Sequence, residues 1–157
     1  MGQGWDVHRI VAGRPLILGG VTIPSDFGLE GHSDADILSH AITDALLGAA
    51  ALGDIGMHFS DSDPRWHNAD SSQFLRHARD LLADQGYSII NIDSTVVLER
   101  PKLAGHRQAI RERLAQTLQL DVSQISIKFK TAEKTGPVGE GRSAEAQAIA
   151  VVRSEAK

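Results

Sequence analysis

Hydrophobic residues recur every three or four positions in three stretches of the chain, which is the spacing of a helix with one buried face. The first stretch follows Ser33, a residue type that caps helices, so we expect a helix from about Asp34. A second helix is predicted between Asp70 and Gly86, and a third after Leu103. The apolar stripe of the first helix consists of Ile37, Leu38, Ala41, Ile42, Ala45, Leu46 and Ala49.

Alternation of apolar and polar residues, with many β-branched side chains, predicts the strands. A short strand at 4–8 places Asp6 and His8 on one face. Residues 15–24 contain two apolar runs across a Gly-Gly step and predict an antiparallel hairpin arm. Further strands are predicted at 87–98 and 125–130, whereas the alanine-rich segment 144–152 fits a strand or a helix equally well.

This order of elements predicts an α+β fold in one domain spanning residues 1–157. We expect a mixed β-sheet with about three α-helices packed on one of its faces. The segments 25–31, 58–64 and 134–143 carry turn-forming or polar residues without periodicity and are predicted to be loops.

Composition narrows the possible chemistry. The chain has no cysteine, so a metal ion would have to be held by histidine and carboxylate side chains. Its formal net charge is −4, and no basic run is interleaved with aromatic residues, which argues against a nucleic-acid partner. Neither a signal peptide nor an apolar run of membrane-spanning length is present, so we expect a cytoplasmic protein without a membrane partner.

Three side chains form a candidate metal site. Asp6 and His8 project from the same face of the first strand, and His40 lies beside the apolar stripe of the first helix. One carboxylate with two imidazoles suits zinc and leaves a fourth position open for substrate or water. From these residues alone, two alternatives stay open: a solvated strand face that carries Asp6 and His8, and a hydrogen-bonded boundary position for His40. Asp36 and Asp44 lie one turn before and after His40 and are candidates to orient its ring.

Four segments of the sequence resemble the 2-C-methyl-D-erythritol 2,4-cyclodiphosphate synthase family of the non-mevalonate isoprenoid route. They are Gly4-Trp-Asp-Val-His-Arg9, Gly31-His-Ser-Asp-Ala-Asp36, the segment from His40 to Gly56, and Glu99-Arg-Pro-Lys-Leu103. The block from His32 to Gly56 matches without a gap. The similarity extends nearly from end to end of the chain.

The resemblance implies a role for each matching position. Asp6, His8 and His40 match the zinc ligands, His32 and Thr131 match catalytic positions that align the phosphates, and Glu133 matches the ligand of a second ion, Mg or Mn, that bridges the diphosphate. The positions that match substrate contacts are Ser33, Asp54, Ile55, Gly56, Phe59, Asp61, Asp63, Leu98, Arg100, Pro101, Lys102, Leu103, Ala104, Ala132 and Glu133.

The reaction that the resemblance implies is an intramolecular phosphoryl transfer. The 2-phosphate of a cytidine-diphosphate-linked methylerythritol attacks the β-phosphorus, closes the cyclic diphosphate and releases CMP, in a homotrimer whose active sites lie between subunits. Two other functions are compatible with parts of the sequence. A zinc phosphoesterase would use the same three ligands, and a non-catalytic module would bind an isoprenoid diphosphate without them.

Overall fold

The computed structural model describes residues 1–60 and 62–155. The strands in this part of the chain are β1 (Gly2–Ala12), β2 (Leu16–Leu18), β3 (Val21–Ile23), β4 (Phe27–Leu29), β5 (Tyr87–Val97), β6 (Ile125–Lys130) and β7 (Ser143–Ser154). The α-helices are α1 (Ile37–Ala49), α2 (Ile55–His58), α3 (Ser72–Asp84), α4 (Arg107–Leu118) and α5 (Gly136–Gly139). Because α2 and α5 are single turns, the prediction of three substantial helices is confirmed.

Five strands form one sheet in the order β4-β1-β7-β5-β6. Its pairs are antiparallel except β5 with β6, which run parallel, so the predicted mixed sheet is confirmed. Strand β7 lies at the centre and pairs with β1 and with β5. The segment whose pattern left helix and strand open is therefore a central strand.

Small residues on β1 and β7 let helix α1 lie directly against the sheet. A Cβ atom added to Gly4 would stand 1.9 Å from the carbonyl oxygen of Ala41, and one added to Gly2 would stand 2.2 Å from that of Ala45. On β7 the residues facing the helix are all buried alanines: Ala144, Ala146, Ala148 and Ala150. This close approach brings one end of α1 next to the side chains that β1 presents on the same face.

Helix α1 begins at Ile37 with Asp36 as its N-cap, three residues after the predicted start. The fully buried Asp36 carboxylate accepts hydrogen bonds from the backbone N–H groups of Ser39, Gly19 and Gly20 and from the Ser39 hydroxyl. It thereby ties the β2–β3 turn to the helix start. The prediction that Ser33 caps the helix was wrong because this carboxylate satisfies more donors than a serine hydroxyl can.

The β2–β3 hairpin is confirmed, but it is not a projecting arm, since Leu16, Leu18 and Ile23 belong to the hydrophobic core. The predicted loop 25–31 contains the short strand β4, which pairs with the end of β1. The predicted loop 58–64 ends where the short helical turn Pro64–Trp66 begins, and the predicted loop 134–143 contains α5.

The opposite face of the sheet carries exposed apolar side chains. Trp5 is 52% exposed, Ile149 is 44% exposed and Val7 is 39% exposed, and their registered positions on β1 and β7 place them together. In the described part of the chain, no helix covers these three residues. Among the helices of that part, none has the length and apolar character needed to cross a membrane.

Candidate metal and substrate site

The candidate ligands converge as the sequence predicts. The Asp6 Oδ2 atom lies 3.0 Å from His8 Nε2 and 2.9 Å from His40 Nδ1. One potential ligand atom of each side chain lies within 4.8 Å of those of the other two. Strand β1 supplies the first two residues and helix α1 the third, and their donor set of one carboxylate and two imidazoles fits a divalent metal such as zinc.

Each imidazole is held by a hydrogen bond on the nitrogen that points away from this cluster. His8 Nδ1 donates to the carbonyl oxygen of Glu30, while Gly31 leaves room for the ring, because an added Cβ would stand 2.9 Å from His8 Cε1. His40 Nε2 lies 2.9 Å from Ser71 Oγ and 3.1 Å from Ser33 Oγ. The nitrogens that face Asp6 are thus His8 Nε2 and His40 Nδ1.

Asp36 and Asp44 do not orient His40 by contact as the sequence suggested. The Asp36 carboxylate turns toward the β2–β3 turn, and Asp44 accepts a hydrogen bond of 2.7 Å from the Ile55 backbone N–H. Helical spacing places these residues near His40 in sequence, but backbone donors elsewhere take their oxygens. The side chains that contact His40 Nε2 are instead Ser33 and Ser71, and Ser71 has no sequence signal beyond that of a helix-start residue.

Ionisation in the cluster favours a charged pair. Burial acts to raise the pKa of Asp6, but hydrogen bonds from His40 and His8 outweigh it, so the pKa of this carboxyl lies far below its ordinary value. Burial acts to lower the pKa of His8, yet the hydrogen bond and charge of Asp6 raise it above the ordinary value. An anionic carboxylate is therefore available for a cation, which would replace the proton on His8.

A cavity of about 430 Å³ opens beside the cluster. It is lined by Asp6, His8, His32, Ser33, His40, Asp44, Ile55, Gly56, Phe59, Ser60, Trp66 and Phe74. The predicted contacts His32, Ser33, Ile55, Gly56 and Phe59 are thus brought together. Asp54 lies nearby as the N-cap of α2, and the backbone oxygen of Asp63 accepts from His32 Nε2.

Three aromatic residues form one wall of this cavity, and only Phe59 among them is a predicted substrate contact. Phe59 stacks at 4.4 Å between ring centroids on Phe74 and meets Trp66 edge to face at 5.0 Å. Phe74 lies on the buried face of α3, and Trp66 lies in the short turn Pro64–Trp66. Their contact depends on how this turn packs against α3 and has no local sequence signal.

A second, separate cavity of about 170 Å³ is lined by five of the remaining predicted contacts and by Thr131, but not by Arg100, Ala132 or Glu133. Leu98, Pro101, Lys102, Leu103, Ala104 and Thr131 belong to it, with Arg107, Phe129 and Lys130. The Arg100 guanidinium turns away to Asp26 at 2.9 Å and lies over the Phe27 ring. Asp61, the other predicted contact, lies outside the described residues.

Thr131, Ala132 and Glu133 follow β6 at the edge of this second cavity. Thr131 Oγ1 donates a 2.6 Å hydrogen bond to Glu133 Oε1, and Glu99 Oε1 accepts from the backbone N–H groups of Ala132 at 2.9 Å and Lys134 at 3.2 Å. Glu133 and Lys134 both have positive φ angles, of 51° and 61°. Glu99 therefore holds an unusual backbone turn that presents an exposed carboxylate, a contact that was not predicted.

Comparison of the sequence with known proteins identifies its family and its relatives. The sequence profile of the YgbB family matches residues 1–153. A 2-C-methyl-D-erythritol 2,4-cyclodiphosphate synthase of Solibacter usitatus (strain Ellin6076) is 74% identical over 148 residues, which cover 94% of this chain and 93% of that protein.

Solved structures agree with the fold. The bifunctional IspDF of Campylobacter jejuni superposes with a TM-score of 0.93 at 41% identity, covering 98% of this chain and 42% of that longer chain. A 2C-methyl-D-erythritol-2,4-cyclodiphosphate synthase with CDP bound gives a TM-score of 0.89 at 41% identity and covers 97% of this chain and 99% of its own. The chain therefore belongs to the YgbB family, with the 2-C-methyl-D-erythritol 2,4-cyclodiphosphate synthases as its relatives.

Proposed function

We propose that this protein is a metal-dependent cyclodiphosphate synthase, which is a phosphorus–oxygen lyase. Residues 1–157 make up its single synthase domain. It converts 4-diphosphocytidyl-2-C-methyl-D-erythritol 2-phosphate into 2-C-methyl-D-erythritol 2,4-cyclodiphosphate and releases CMP. The observation that carries the proposal is the convergence of Asp6, His8 and His40 beside a cavity in a chain of this family. Its cytoplasmic location stays a prediction from the sequence.

The proposed reaction needs positioning and charge neutralisation more than acid–base chemistry, because the attacking phosphate is already ionised. A zinc ion held by Asp6, His8 and His40 would neutralise phosphate charge there. Ser33 Oγ, on the rim of the same cavity, can turn its proton to a phosphate oxygen, and His32 can donate from the same side. Holding both ends of one molecule in line contributes on the order of 7 kcal/mol or more to lowering the barrier.

The methylerythritol group is assigned to the first cavity. Asp44 fixes the Ile55 backbone, and the Asp54 carboxylate caps the same turn by accepting from the Met57 N–H at 3.0 Å. The segment 54–56 therefore has little freedom, which suits a rigid binding edge for a small polyol. Phe59 and Trp66 would exclude water from the reacting phosphates on the other side.

The cytidine ring is assigned to the second cavity. Its lining combines Leu98 and the segment 101–104 with the apolar residue Phe129. A ring of this size is recognised by such a combination of apolar walls and backbone hydrogen-bonding groups. The related synthase with CDP bound supports a nucleotide ligand for this chain as well.

Since the two cavities have no lining residue in common, we propose that the substrate lies between neighbouring subunits of a homotrimer. The exposed apolar face formed by Trp5, Val7 and Ile149 supports burial against further copies of the chain. Mixing a His40→Ala chain with a Lys102→Glu chain should restore part of the activity, because some sites in the mixed trimers combine two intact halves. Failure of every mixture to regain activity would contradict a shared site.

Glu133 is proposed to bind a second ion, Mg or Mn, that bridges the diphosphate. Glu133→Gln keeps the size and the bond from Thr131 but removes the charge, so turnover should collapse while zinc content stays at the wild-type level. Because the side chain is exposed, unfolding free energy should change by no more than ~0.5 kcal/mol. The exposed Glu112→Gln on α4 is the matched control and should keep full activity. Full turnover of Glu133→Gln at limiting magnesium would contradict the assignment.

The reaction itself is tested by supplying the cytidine-diphosphate-linked substrate and following phosphorus NMR. Cyclic diphosphate and CMP are the expected products, and they should be absent with His40→Ala. Free phosphate would instead identify a zinc phosphoesterase, and no conversion in the presence of zinc and magnesium would favour a binding module.

A further inference from the structure

Behind His40, away from the cavity, lies a chain of three polar groups. His40 Nε2 is 2.9 Å from Ser71 Oγ, and Ser71 Oγ is 2.5 Å from Asp34 Oδ1. The second oxygen of Asp34 accepts from the Ser71 backbone N–H at 3.0 Å. Ser71 is completely buried and stands at the start of helix α3 as its N-cap residue, but its side chain makes no capping bond. The Ser71 hydroxyl therefore contacts His40 and Asp34 and does not cap the helix.

The direction of these bonds follows from their chemistry. An ionised carboxylate has no proton to give, so the Ser71 hydroxyl donates to Asp34 and turns an oxygen lone pair toward His40. His40 Nε2 must then carry the proton and donate it to Ser71. Nδ1 lies 2.9 Å from Asp6 Oδ2, so without a metal ion it donates to that carboxylate, and a bound cation would take the place of this proton while Nε2 keeps its own.

Ser33 cannot hold the proton on Nε2 in the same way. Its hydroxyl lies 3.1 Å from His40 Nε2 and also accepts weakly from the Ala35 backbone N–H at 3.3 Å. In the described part of the chain no carboxylate accepts its proton, so the Ser33 hydroxyl can either donate to the ring or turn toward a ligand. Only the Ser71 hydroxyl has its direction set by a negative charge.

We propose that Asp34 and Ser71 are positioning residues that hold a proton on His40 Nε2, so that Nδ1 is the nitrogen that gives up its proton and binds the metal. The proposal rests on the proposed metal site and adds to it the groups that determine its affinity. Hydrogen-bonding partners of this kind behind a ligand are generally worth 10- to 100-fold in metal affinity. Through Ser71 the metal site is also connected to helix α3, which carries Phe74 of the cavity wall.

The chain offers a matched control at the next position. Ser72 is also buried at the start of α3, but its hydroxyl finds no hydrogen-bond partner among residues 1–60 and 62–155. Ser72→Ala therefore removes a buried hydroxyl from the same turn without disturbing the proposed chain of bonds. Ser71→Thr serves as the conservative variant, because it retains a hydroxyl at the critical position.

The experiment measures zinc affinity by competition with a chromophoric chelator in Ser71→Ala, Ser71→Thr, Ser72→Ala and His40→Ala. Ser71→Ala should bind zinc 10- to 100-fold more weakly, Ser71→Thr should recover most of the loss, and Ser72→Ala should match the wild type. Equal affinities of Ser71→Ala and wild type, or equal losses in Ser71→Ala and Ser72→Ala, would overturn the proposal. If His40→Ala also bound zinc normally, the proposed metal site itself would be wrong.

NMR of the His40 ring in protein saturated with zinc provides a second readout. In the wild type the Nε2–H proton should exchange slowly with water, because it is hydrogen-bonded to a buried hydroxyl. Ser71→Ala should exchange this proton faster, whereas Ser72→Ala should keep the wild-type rate. Equal exchange rates in the wild type and Ser71→Ala would contradict the proposed role of Ser71.

Discussion

Asp36 shows how one buried carboxylate determines local structure at the scale of a residue. Its two oxygens accept four hydrogen bonds, from the N–H groups of Gly19, Gly20 and Ser39 and from the Ser39 hydroxyl. Burial raises the pKa of this carboxyl above its ordinary value, and the donors act in the opposite direction. The side chain contributes to stability by joining two parts of the backbone, although it lies only four residues from a proposed metal ligand.

Asp36→Asn should destabilise the protein by about 2 to 4 kcal/mol. An asparagine has one acceptor oxygen, so its NH₂ group would face donors that the second carboxylate oxygen now satisfies. Denaturant unfolding monitored by circular dichroism measures the change. Asp84→Asn, at the exposed end of α3, is the control and should stay within ~0.5 kcal/mol of the wild type. Similar stability of both variants would show that the four bonds contribute little.

The residue types at the proposed metal site could be identified from the sequence, but their partners could not. Strand alternation places Asp6 and His8 on one face of β1, and helical spacing places His40 beside the apolar stripe of α1. Ser71, in contrast, resembles any serine at a helix start. Its contact with His40 depends on how α3 packs beside α1, which is a tertiary relation that local patterns do not contain.

At the scale of elements, the stacking of α1 on β1 and β7 determines whether the three ligands meet. Gly4→Ala places a methyl group 1.9 Å from a helix carbonyl oxygen, and the helix must move away. We expect a loss of about 3 kcal/mol in stability and weaker zinc binding, because His40 moves with the helix. Calorimetric unfolding and zinc titration measure the two effects.

Gly105→Ala is the control for this prediction. An added Cβ at Gly105 meets no atom of the described chain within 4 Å, so the change in stability should be below ~1 kcal/mol. If Gly4→Ala is as stable as Gly105→Ala and binds zinc normally, the close helix–strand contact is not needed for the site.

Helix α2 is joined to α3 by a pair of histidines. His58 Nε2 donates to the Leu52 carbonyl oxygen, which leaves His58 Nδ1 to accept from His77 Nε2 at 3.4 Å. Burial and the neighbouring His58 lower the pKa of His77, and Asp80 opposes them. The folded protein therefore binds a proton at His77 less readily than the unfolded chain does.

Because the folded pKa is the lower one, the stability contributed at this position is present above pH 6.5 and is lost as the pH falls below that value. We expect the melting temperature of metal-free protein to fall between pH 8 and pH 5.5, and to fall less in His77→Gln. Calorimetry with a chelator present separates this effect from metal loss. If the melting temperatures of the wild type and His77→Gln fell equally with pH, a role for the pair of His58 and His77 would be contradicted.

The elements with strong periodicity were predictable, and the exceptions have physical reasons. Strand β7 was ambiguous because its buried positions are alanines, which fit either structure. Strand β4 has only three residues, too few to show alternation. The start of α1 was displaced because Asp36 outcompetes Ser33 for the helix donors, a choice that depends on the distant turn at Gly19 and Gly20.

At the scale of the whole molecule, the exposed sheet face leads to a test of the proposed trimer. Trp5→Asp introduces a charge at its apolar centre, and we expect sedimentation velocity to show monomers in place of trimers. Met57→Asp is the control, because Met57 is 75% exposed but lies on α2, away from the sheet. A trimeric Trp5→Asp protein would show that the subunits meet through another surface.

The sequence could not show that the predicted substrate contacts divide into two cavities. All of them match one family, yet His32 lines the first cavity and Lys102 the second. The order of the strands in the sheet determines which residues face each cavity. The central strand of this sheet is β7, and the pattern of its residues fitted a helix as well as a strand.

The pairing of β1 with β7 has a consequence for how the protein is made. Asp6 lies opposite Ala146 and His8 opposite Ala144, so the strand that bears two proposed ligands is completed on this side only by β7, the last strand of the described residues. Contacts between such distant parts of a chain form slowly. We expect a nascent chain that still lacks β7 to be unable to retain the metal, so that zinc is acquired only after β7 has been synthesised and has paired.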